Sequence, residues 1–142
     1  MIENIDMILR GRKMKKLIER KFIGIRKKYD LRQVEIEVLL YLKKYPDANS
    51  SDIYRYLLIN KGHVSQSMDN LCKKGFVTSV QDVNDRRYVT FIITPLGNTV
   101  IEESIELRKS MMQQLFVGIS AEEIEMMRTI SAKLWNNIDR IE

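Results

Sequence analysis

The sequence is poor in the residues that interrupt or cross-link a chain. Its 142 residues contain one cysteine, one histidine, two prolines and six glycines. A single cysteine, Cys72, excludes an intrachain disulfide framework and is typical of a reducing compartment. Because His63 is the only histidine, the chain lacks the four Cys and His ligands of the usual tetrahedral zinc site. The scarcity of proline and glycine favours long helices over a β-fold with many turns.

Signals for export, membrane insertion and catalysis are also missing. The first seven residues contain Glu3 and Asp6 where a secretory signal needs basic residues and an apolar run. No apolar stretch approaches the roughly 18 residues of a membrane span, so we expect a cytoplasmic protein with no membrane partner. Glycine-rich loop, nucleophile-elbow, His-Glu-x-x-His and Cys-x-x-Cys motifs are absent. We therefore expect no enzyme, cofactor or metal site; His63 could act as a base only with a nucleophile that the sequence does not supply.

Charge is plentiful and unevenly distributed. The formal net charge of +5 points toward a polyanionic partner. Residues 1–30 carry ten basic and four acidic side chains, whereas the chain from Val100 onward is rich in glutamate. Two solvated helical faces would explain the same distribution, so both interpretations stay open.

Hydrophobic spacing predicts a mainly helical chain with one hairpin. The alternation from Val34 to Val38 also fits a strand, but the apolar run continues without alternation to Pro46, which favours a helix. Residues 76–81 and 88–93 are rich in β-branched and aromatic residues, which predicts a hairpin. The expected N-caps lie within residues 49–52 and at Asn60, Thr94 and Ser120, and Gly75 is expected to end a helix. The predicted helices cover residues 1–28, 33–45, a short segment around 53–57, 61–74, 95–116 and the chain from 120 onward.

This order of elements predicts a mainly α (α+β) fold, a winged helix-turn-helix flanked by long helices. Three helices followed directly by a two-stranded hairpin are typical of that lobe. We expect a single domain over residues 1–142, with the lobe at 31–94 and dimerisation helices at 1–30 and 95–142. The outer helices carry apolar stripes that a small lobe cannot cover, so we expect a second copy of the chain to cover them.

The predicted helix 61–74 offers polar groups that can contact DNA. At about 100° per residue, Val64, Met68 and Leu71 share one side and the opposite side is polar. Such side chains reach base edges or phosphates from a helix in the major groove, although a solvated amphipathic helix would show the same pattern. The candidate DNA-contacting residues here are Asn60, Lys61, Gly62, His63, Ser65, Gln66, Asn70 and Lys73.

The tip of the predicted hairpin adds a second group of candidates, Asp85, Arg86 and Arg87. Arginine suits the minor groove, because a narrow groove concentrates negative potential. Asp85 can pair with Arg87 and stiffen the loop, or it can simply end the turn. A solvated tip with no DNA contact is the alternative interpretation.

Residues 39–97 resemble the multiple antibiotic resistance regulator (MarR) family. The resemblance lies in a segment at 60–77 whose helix ends in Leu-x-x-x-Gly-hydrophobic, a tip at 82–87 with Asp-x-Arg, and a threonine–glycine helix start at 93–97. The three motifs occur in the family's order and at matching separations. The terminal helices are similar only in length and position.

The resemblance implies a homodimeric transcription regulator that binds an inverted repeat in double-stranded DNA. It implies groove contacts by Ser65 and Gln66 and a minor-groove contact by Arg87. Recognition helices one DNA turn apart, about 34–36 Å, would require an inverted repeat. Repression is the usual role in the family, and a small-molecule effector is a further expected partner. The alternative is a winged-helix module that binds another protein, such as an antirepressor.

No ligand site follows from the sequence, although family members often respond to a phenolic ligand or to cysteine oxidation. Lys73 and Lys74 could lower the pKa of Cys72, but an ordinary residue beside the recognition helix is the competing interpretation. Five side chains could line an adaptable pocket or belong to a dimer core. They are Met111, Met112, Met126, Met127 and Trp135.

Overall fold

The computed structural model describes residues 5–141, with side chains from residue 10 onward; residues 1–4 and 142, assigned above to the terminal helices, lie outside the described residues. Within that range the chain forms seven helices and one two-stranded antiparallel sheet, which confirms the predicted fold class. The elements in chain order are α1 (Ile5–Lys21), α2 (Ile23–Tyr29), α3 (Gln33–Lys44), α4 (Ser50–Leu57), α5 (Lys61–Lys73), β1 (Val77–Gln81), β2 (Val89–Ile93), α6 (Pro95–Leu115) and α7 (Ala121–Ile141).

The chain divides into two compact units, one up to Arg108 and one from Lys109 onward. The division falls inside α6 and not at residue 94, where we expected the lobe to end. A single domain over the whole chain therefore stays a prediction. In the second unit, α7 begins with the predicted capping box: the Ser120 amide donates to Glu123 Oε2 at 2.8 Å, and the Glu123 amide donates to Ser120 Oγ at 3.1 Å.

The first predicted helix is interrupted in the structure. It divides into α1 and α2 at Phe22, whose backbone stays in the right-handed region but is less regular than that of a helix, with φ of −82° and ψ of −5°. Backbone hydrogen bonds continue across the break, from the Phe22 amide to the Ile18 carbonyl and from the Arg26 amide to the Phe22 carbonyl, both 3.0 Å. Phe22 and Ile25 are buried in the core of the first unit, so this part of the first outer helix is covered within the chain and does not need the second copy expected above.

The core of the first unit is built around α3. Its apolar residues occur too densely for a strand, and the helix buries one broad side against α4 and α5, which confirms the helical interpretation. Two side chains of α2 connect to α6: Lys28 Nζ and Tyr29 Oη both donate to Glu103 Oε1 at 2.7 Å. These hydrogen bonds hold the pKa of the Glu103 carboxyl below its ordinary value.

Side-chain caps set the ends of the two helices of the helix-turn-helix. Asn49 and Asp52 form a reciprocal capping box at the start of α4, with both bonds at 2.9 Å. Asn60 Oδ1 accepts from the His63 amide at 2.8 Å and caps α5. As predicted, Gly75 has the left-handed conformation that ends α5, with φ of +80°. The helix itself ends at Lys73, one residue earlier than expected.

The hairpin places its charged tip at the end of a regular ladder. β1 and β2 pair from Val77↔Ile93 to Gln81↔Val89, and each strand begins one residue later than predicted. Thr94 then starts α6, as expected: its Oγ1 accepts from the Gly97 amide at 3.1 Å and donates to the Gly75 carbonyl at 2.6 Å. This threonine therefore links the end of α5 to the start of α6.

Leu58 lies in the turn between α4 and α5 and adopts a left-handed backbone that suits glycine, with φ of 55° and ψ of 40°. Its side chain is 85% exposed and so gains little from packing. The left-handed conformation costs an L-residue about 1–2 kcal/mol, which glycine avoids. Glycine also makes the unfolded chain more flexible, which offsets about 0.5–1 kcal/mol of that gain. We expect Leu58→Gly to raise the free energy of unfolding by about 0.5–1 kcal/mol in urea denaturation. Leu58→Ala keeps the Cβ and serves as the control; equal stabilities of the two variants would contradict the strain.

Candidate nucleic-acid interface

The outer face of α5 is polar and open to solvent. Its inner face buries Val64, Ser67, Met68 and Leu71 against the core. Most of the predicted DNA-contacting residues of this segment are exposed: Asn60, Lys61, Gly62, His63, Ser65, Gln66 and Lys73. Their exposure makes them accessible to a ligand along the whole length of the helix.

The N-terminal turn of α5 is ordered by local contacts. The cap from Asn60 leaves the helix with the free amides and positive dipole end that favour an anion. Lys61 Nζ lies 5.3 Å from the centroid of the Tyr54 ring, a cation–π distance that places this ammonium beside α4. The start of α5 therefore combines the positive charge of Lys61 with the positive end of the helix dipole.

Asn70 departs from its predicted position on the outer face. It is half-buried, and its Nδ2 donates to Glu35 Oε1 at 3.0 Å. Since Glu35 is a buried residue of α3, the amide of Asn70 fastens α5 to α3. The expected position of Asn70 on the solvent-facing side is corrected, because a buried carboxylate needs hydrogen-bond donors and α5 supplies one. A contact between Asn70 and DNA stays a prediction.

The hairpin tip presents an arginine that a carboxylate holds in place. Arg87 Nε donates to Asp85 Oδ1 at 3.1 Å, and Arg87 Nη2 donates to Asp85 Oδ2 at 2.9 Å. The Arg87 amide also donates to Asp85 Oδ1, at 3.0 Å. Of the two roles left open for Asp85, the structure therefore has the pairing with Arg87, whose side chain is 88% exposed. These hydrogen bonds hold the pKa of Asp85 below its ordinary value, so the pair is ionised at neutral pH.

Other bonds of the tip give the loop a defined shape. Asp82 Oδ1 accepts from the Asn84 amide at 2.7 Å and from the Asp85 amide at 3.3 Å. Gln81 Nε2 donates to the carbonyl of Arg86 at 2.9 Å. The side chain of Arg86 is exposed. The tip therefore offers two solvent-facing guanidinium groups on a loop shaped by its own side chains.

Sequence reasoning missed one polar cluster beside the recognition helix. Glu35 and Arg32 at the start of α3 contact Ser67 and Asn70 of α5. A signal for it exists in the sequence, since Glu35 interrupts the apolar side of α3. The partners of Glu35 and Arg32 in α5 are each 35 residues away along the chain, so helical spacing cannot identify them.

Cys72 does not have the environment of a reactive thiol. It is half-buried, and burial followed by the negative charge of Asp69 raises its pKa. The lowering considered for Lys73 and Lys74 is not found, because desolvation of the thiolate and the negative charge of Asp69 disfavour the charged form. A raised pKa leaves less thiolate at neutral pH.

The methionines and the tryptophan considered above do not form one buried group. Met111 is buried and Met112 is half-buried, whereas Met126, Met127 and Trp135 are exposed on α7. Across the described residues, no three His, Cys, Asp or Glu side chains cluster in a way that could hold a metal ion. None of the helices in the described part of the chain is long and apolar enough to cross a membrane.

Comparisons with known proteins agree with this geometry. Residues 31–97 match the family model of a winged helix DNA-binding domain. The uncharacterized HTH-type transcriptional regulator YdgJ of Bacillus subtilis is 27% identical over 110 residues, covering 78% of this chain and 67% of the relative.

Two solved structures share the fold. Streptococcus pneumoniae FabT in complex with DNA is 24% identical, with all of both chains covered and a TM-score of 0.79. A MarR protein from Peptoclostridium difficile is 19% identical, with 99% of this chain and 93% of that chain covered and a TM-score of 0.83. At these identities the likeness is one of fold, and it extends beyond the lobe to nearly the whole chain.

Proposed function

Since the chain carries a winged helix DNA-binding domain in the fold of MarR family regulators, we propose that it is a transcription regulator that binds double-stranded DNA. The resemblance identified in the sequence is thereby confirmed at the level of the domain and the fold. FabT was solved in complex with DNA, and YdgJ is named a transcriptional regulator; both support the proposal. We propose that it acts by binding, without catalysis of its own, and that it works in the cytoplasm.

The observation that carries the proposal is that α5 exposes a polar face and that the hairpin after it, the wing, has Arg87 at its tip. Two hydrogen bonds to Asp85 orient this arginine. In the proposed complex, α5 enters the major groove, where Ser65 and Gln66 face base edges. Arg87 enters the adjoining minor groove, where its charge is favoured by the concentrated negative potential. The cap at Asn60 directs free amides of α5 at the DNA backbone.

The exposed apolar side of α7 supports a homodimer. None of the described side chains of α7 is buried. Its apolar residues nevertheless recur at three- and four-residue steps, and each is 42–84% exposed: Met126, Met127, Ile130, Leu134, Ile138 and Ile141. A continuous apolar surface of this kind is unfavourable in water. A second copy of the chain presents the same apolar surface, and a two-fold interface joins the same surface of both subunits.

A two-fold dimer would present two equivalent lobes, so we propose an inverted repeat as the operator. Repression needs only that the bound dimer occupy a promoter, and it is the mode that we propose. Release by a small ligand stays a prediction of the family resemblance.

The proposal is tested by selecting binding sites from a pool of random double-stranded DNA. We expect an enriched inverted repeat whose half-sites lie about one helical turn apart. The oligomeric state of the protein used in the selection is measured in parallel by light scattering. A folded dimer that enriches no sequence at low salt would overturn the proposal and favour a winged-helix module that binds another protein.

A further inference from the structure

A buried carboxylate joins the start of α3 to the recognition helix. Glu35 is only 1% exposed. Its Oε2 accepts from the backbone amide of Arg32, and its Oε1 accepts from Arg32 Nε and from Asn70 Nδ2, each at 3.0 Å. A buried charge destabilises a fold unless hydrogen bonds reach its lone pairs. Three N–H groups donate such bonds to Glu35. The carboxylate therefore holds the Arg32 side chain in one orientation.

The Arg32 guanidinium lies along the edge of the recognition helix. Its Nη2 is 3.5 Å from Ser67 Oγ, and its Nε shares a carboxylate oxygen with Asn70. The Arg32 side chain is still 45% exposed, and two of its five N–H groups have partners among the described residues. The remaining donors are free to bind an anion that approaches from solvent.

The edge occupied by Arg32 borders the face proposed to read DNA. His63, Ser67 and Asn70 follow one another at four- and three-residue steps along one side of α5. Ser67 is buried, Asn70 is half-buried and His63 is exposed, so this side leads from the inner face of the helix to its outer face. A helix with side chains is about 10–12 Å wide, which nearly fills a major groove of about 12 Å. The two sides of such a helix therefore face the sugar–phosphate backbones that border the groove.

We propose that Arg32 binds a DNA phosphate at the border of the major groove, in an orientation set by the buried Glu35. The inference rests on the proposed function and extends it to a residue outside the recognition helix and the wing. A guanidinium offers paired N–H groups that match two phosphate oxygens. Because Glu35 already restricts the side chain, less conformational entropy is lost on binding.

The contact predicts a specific change in salt dependence. Each phosphate contact contributes about 0.9 to the slope of log K against log salt concentration. Arg32→Ala is therefore expected to lower that slope by about 0.9 per bound protomer, or about 1.8 for a dimer. Affinity should fall about tenfold at moderate salt, equally on all sequences, because a phosphate carries no base identity. The probe is a random-sequence DNA duplex, titrated over a range of salt concentrations by fluorescence anisotropy.

Arg32→Ala leaves Glu35 buried without its cation and can destabilise the fold, so a second variant is needed. The double variant Arg32→Ala/Glu35→Gln removes both charges and leaves the net charge unchanged. We expect it to show the same loss of slope, since the local contact is gone. Arg32→Lys keeps the charge and should keep the slope while binding less tightly.

A matched control lies in α7. Arg128 forms another pair with a glutamate three positions away, Glu125, at 3.3 Å. Arg128→Ala removes the same charge and should leave the slope unchanged. The inference is overturned if the folded double variant keeps the wild-type slope, or if Arg128→Ala lowers the slope equally. Failure of the wild-type protein to bind any duplex would instead overturn the proposed function.

Discussion

Replacing Gly97 with alanine is expected to destabilise the protein by about 2–3 kcal/mol, the upper part of the roughly 1–3 kcal/mol that overpacking a site costs. A Cβ at this position would lie 2.2 Å from the Phe76 carbonyl oxygen and 2.9 Å from Ile93 Cγ2. The Phe76 carbonyl cannot move away freely, because it accepts from the Thr94 amide at 3.1 Å. The clash therefore falls on the junction of the recognition helix, the wing and α6. Urea denaturation followed by circular dichroism measures the loss.

Gly24 provides the control for this prediction. It also lies in a helix, α2, but a Cβ added there would meet no atom within 4 Å. Alanine is favoured over glycine in a helix interior by up to about 1 kcal/mol, so Gly24→Ala should stabilise the protein. Equal effects of the two substitutions would show that helix propensity decides both, and that the close approach to Phe76 is unimportant.

Arg87→Ala is expected to weaken binding to the selected operator by about tenfold to a hundredfold, in line with the roughly 1–3 kcal/mol of a specific arginine contact. The side chain is 88% exposed and pairs only locally, with Asp85. The free energy of unfolding should therefore change little. Fluorescence anisotropy at moderate salt measures the affinity, and urea denaturation measures the stability.

Two further variants separate the position of Arg87 from its charge. Asp85→Asn leaves the arginine in place but weakens its orientation, so we expect a smaller loss of affinity than with Arg87→Ala. Arg128→Ala removes one positive charge from α7 and should leave operator affinity near that of the wild type. An unchanged affinity of Arg87→Ala at moderate salt would contradict the minor-groove contact.

Several local features could be predicted because their causes lie within a few residues. Asn49, Asn60, Thr94 and Ser120 cap helices through bonds to amides three positions ahead. The Asp85–Arg87 pair spans two positions. In such cases the chemistry of the side chains and the geometry of a few residues are sufficient to predict the contact. The period of the apolar residues predicts whether each element is a helix or a strand.

Other features of the fold and of the candidate interface could not be predicted from the sequence. The break at Phe22 coincides with a fully buried side chain and is marked by no proline at that position. The pKa of Cys72 depends on how deeply the thiol lies in the fold, and adjacent lysines proved a poor guide to it. The polarity of Asn70 indicated an outward position, although the side chain turns toward α3.

By itself the sequence determined the order and type of the elements, their caps and the charged wing tip, because these depend on period and on contacts between near neighbours. Only the tertiary structure decided which polar groups stay available to a partner. Glu35 meets Asn70 across 35 residues, and Gly97 meets the Phe76 carbonyl across a whole hairpin. Such contacts depend on how helices pack, and packing brings together residues whose separation in the chain carries no signal of their distance in space.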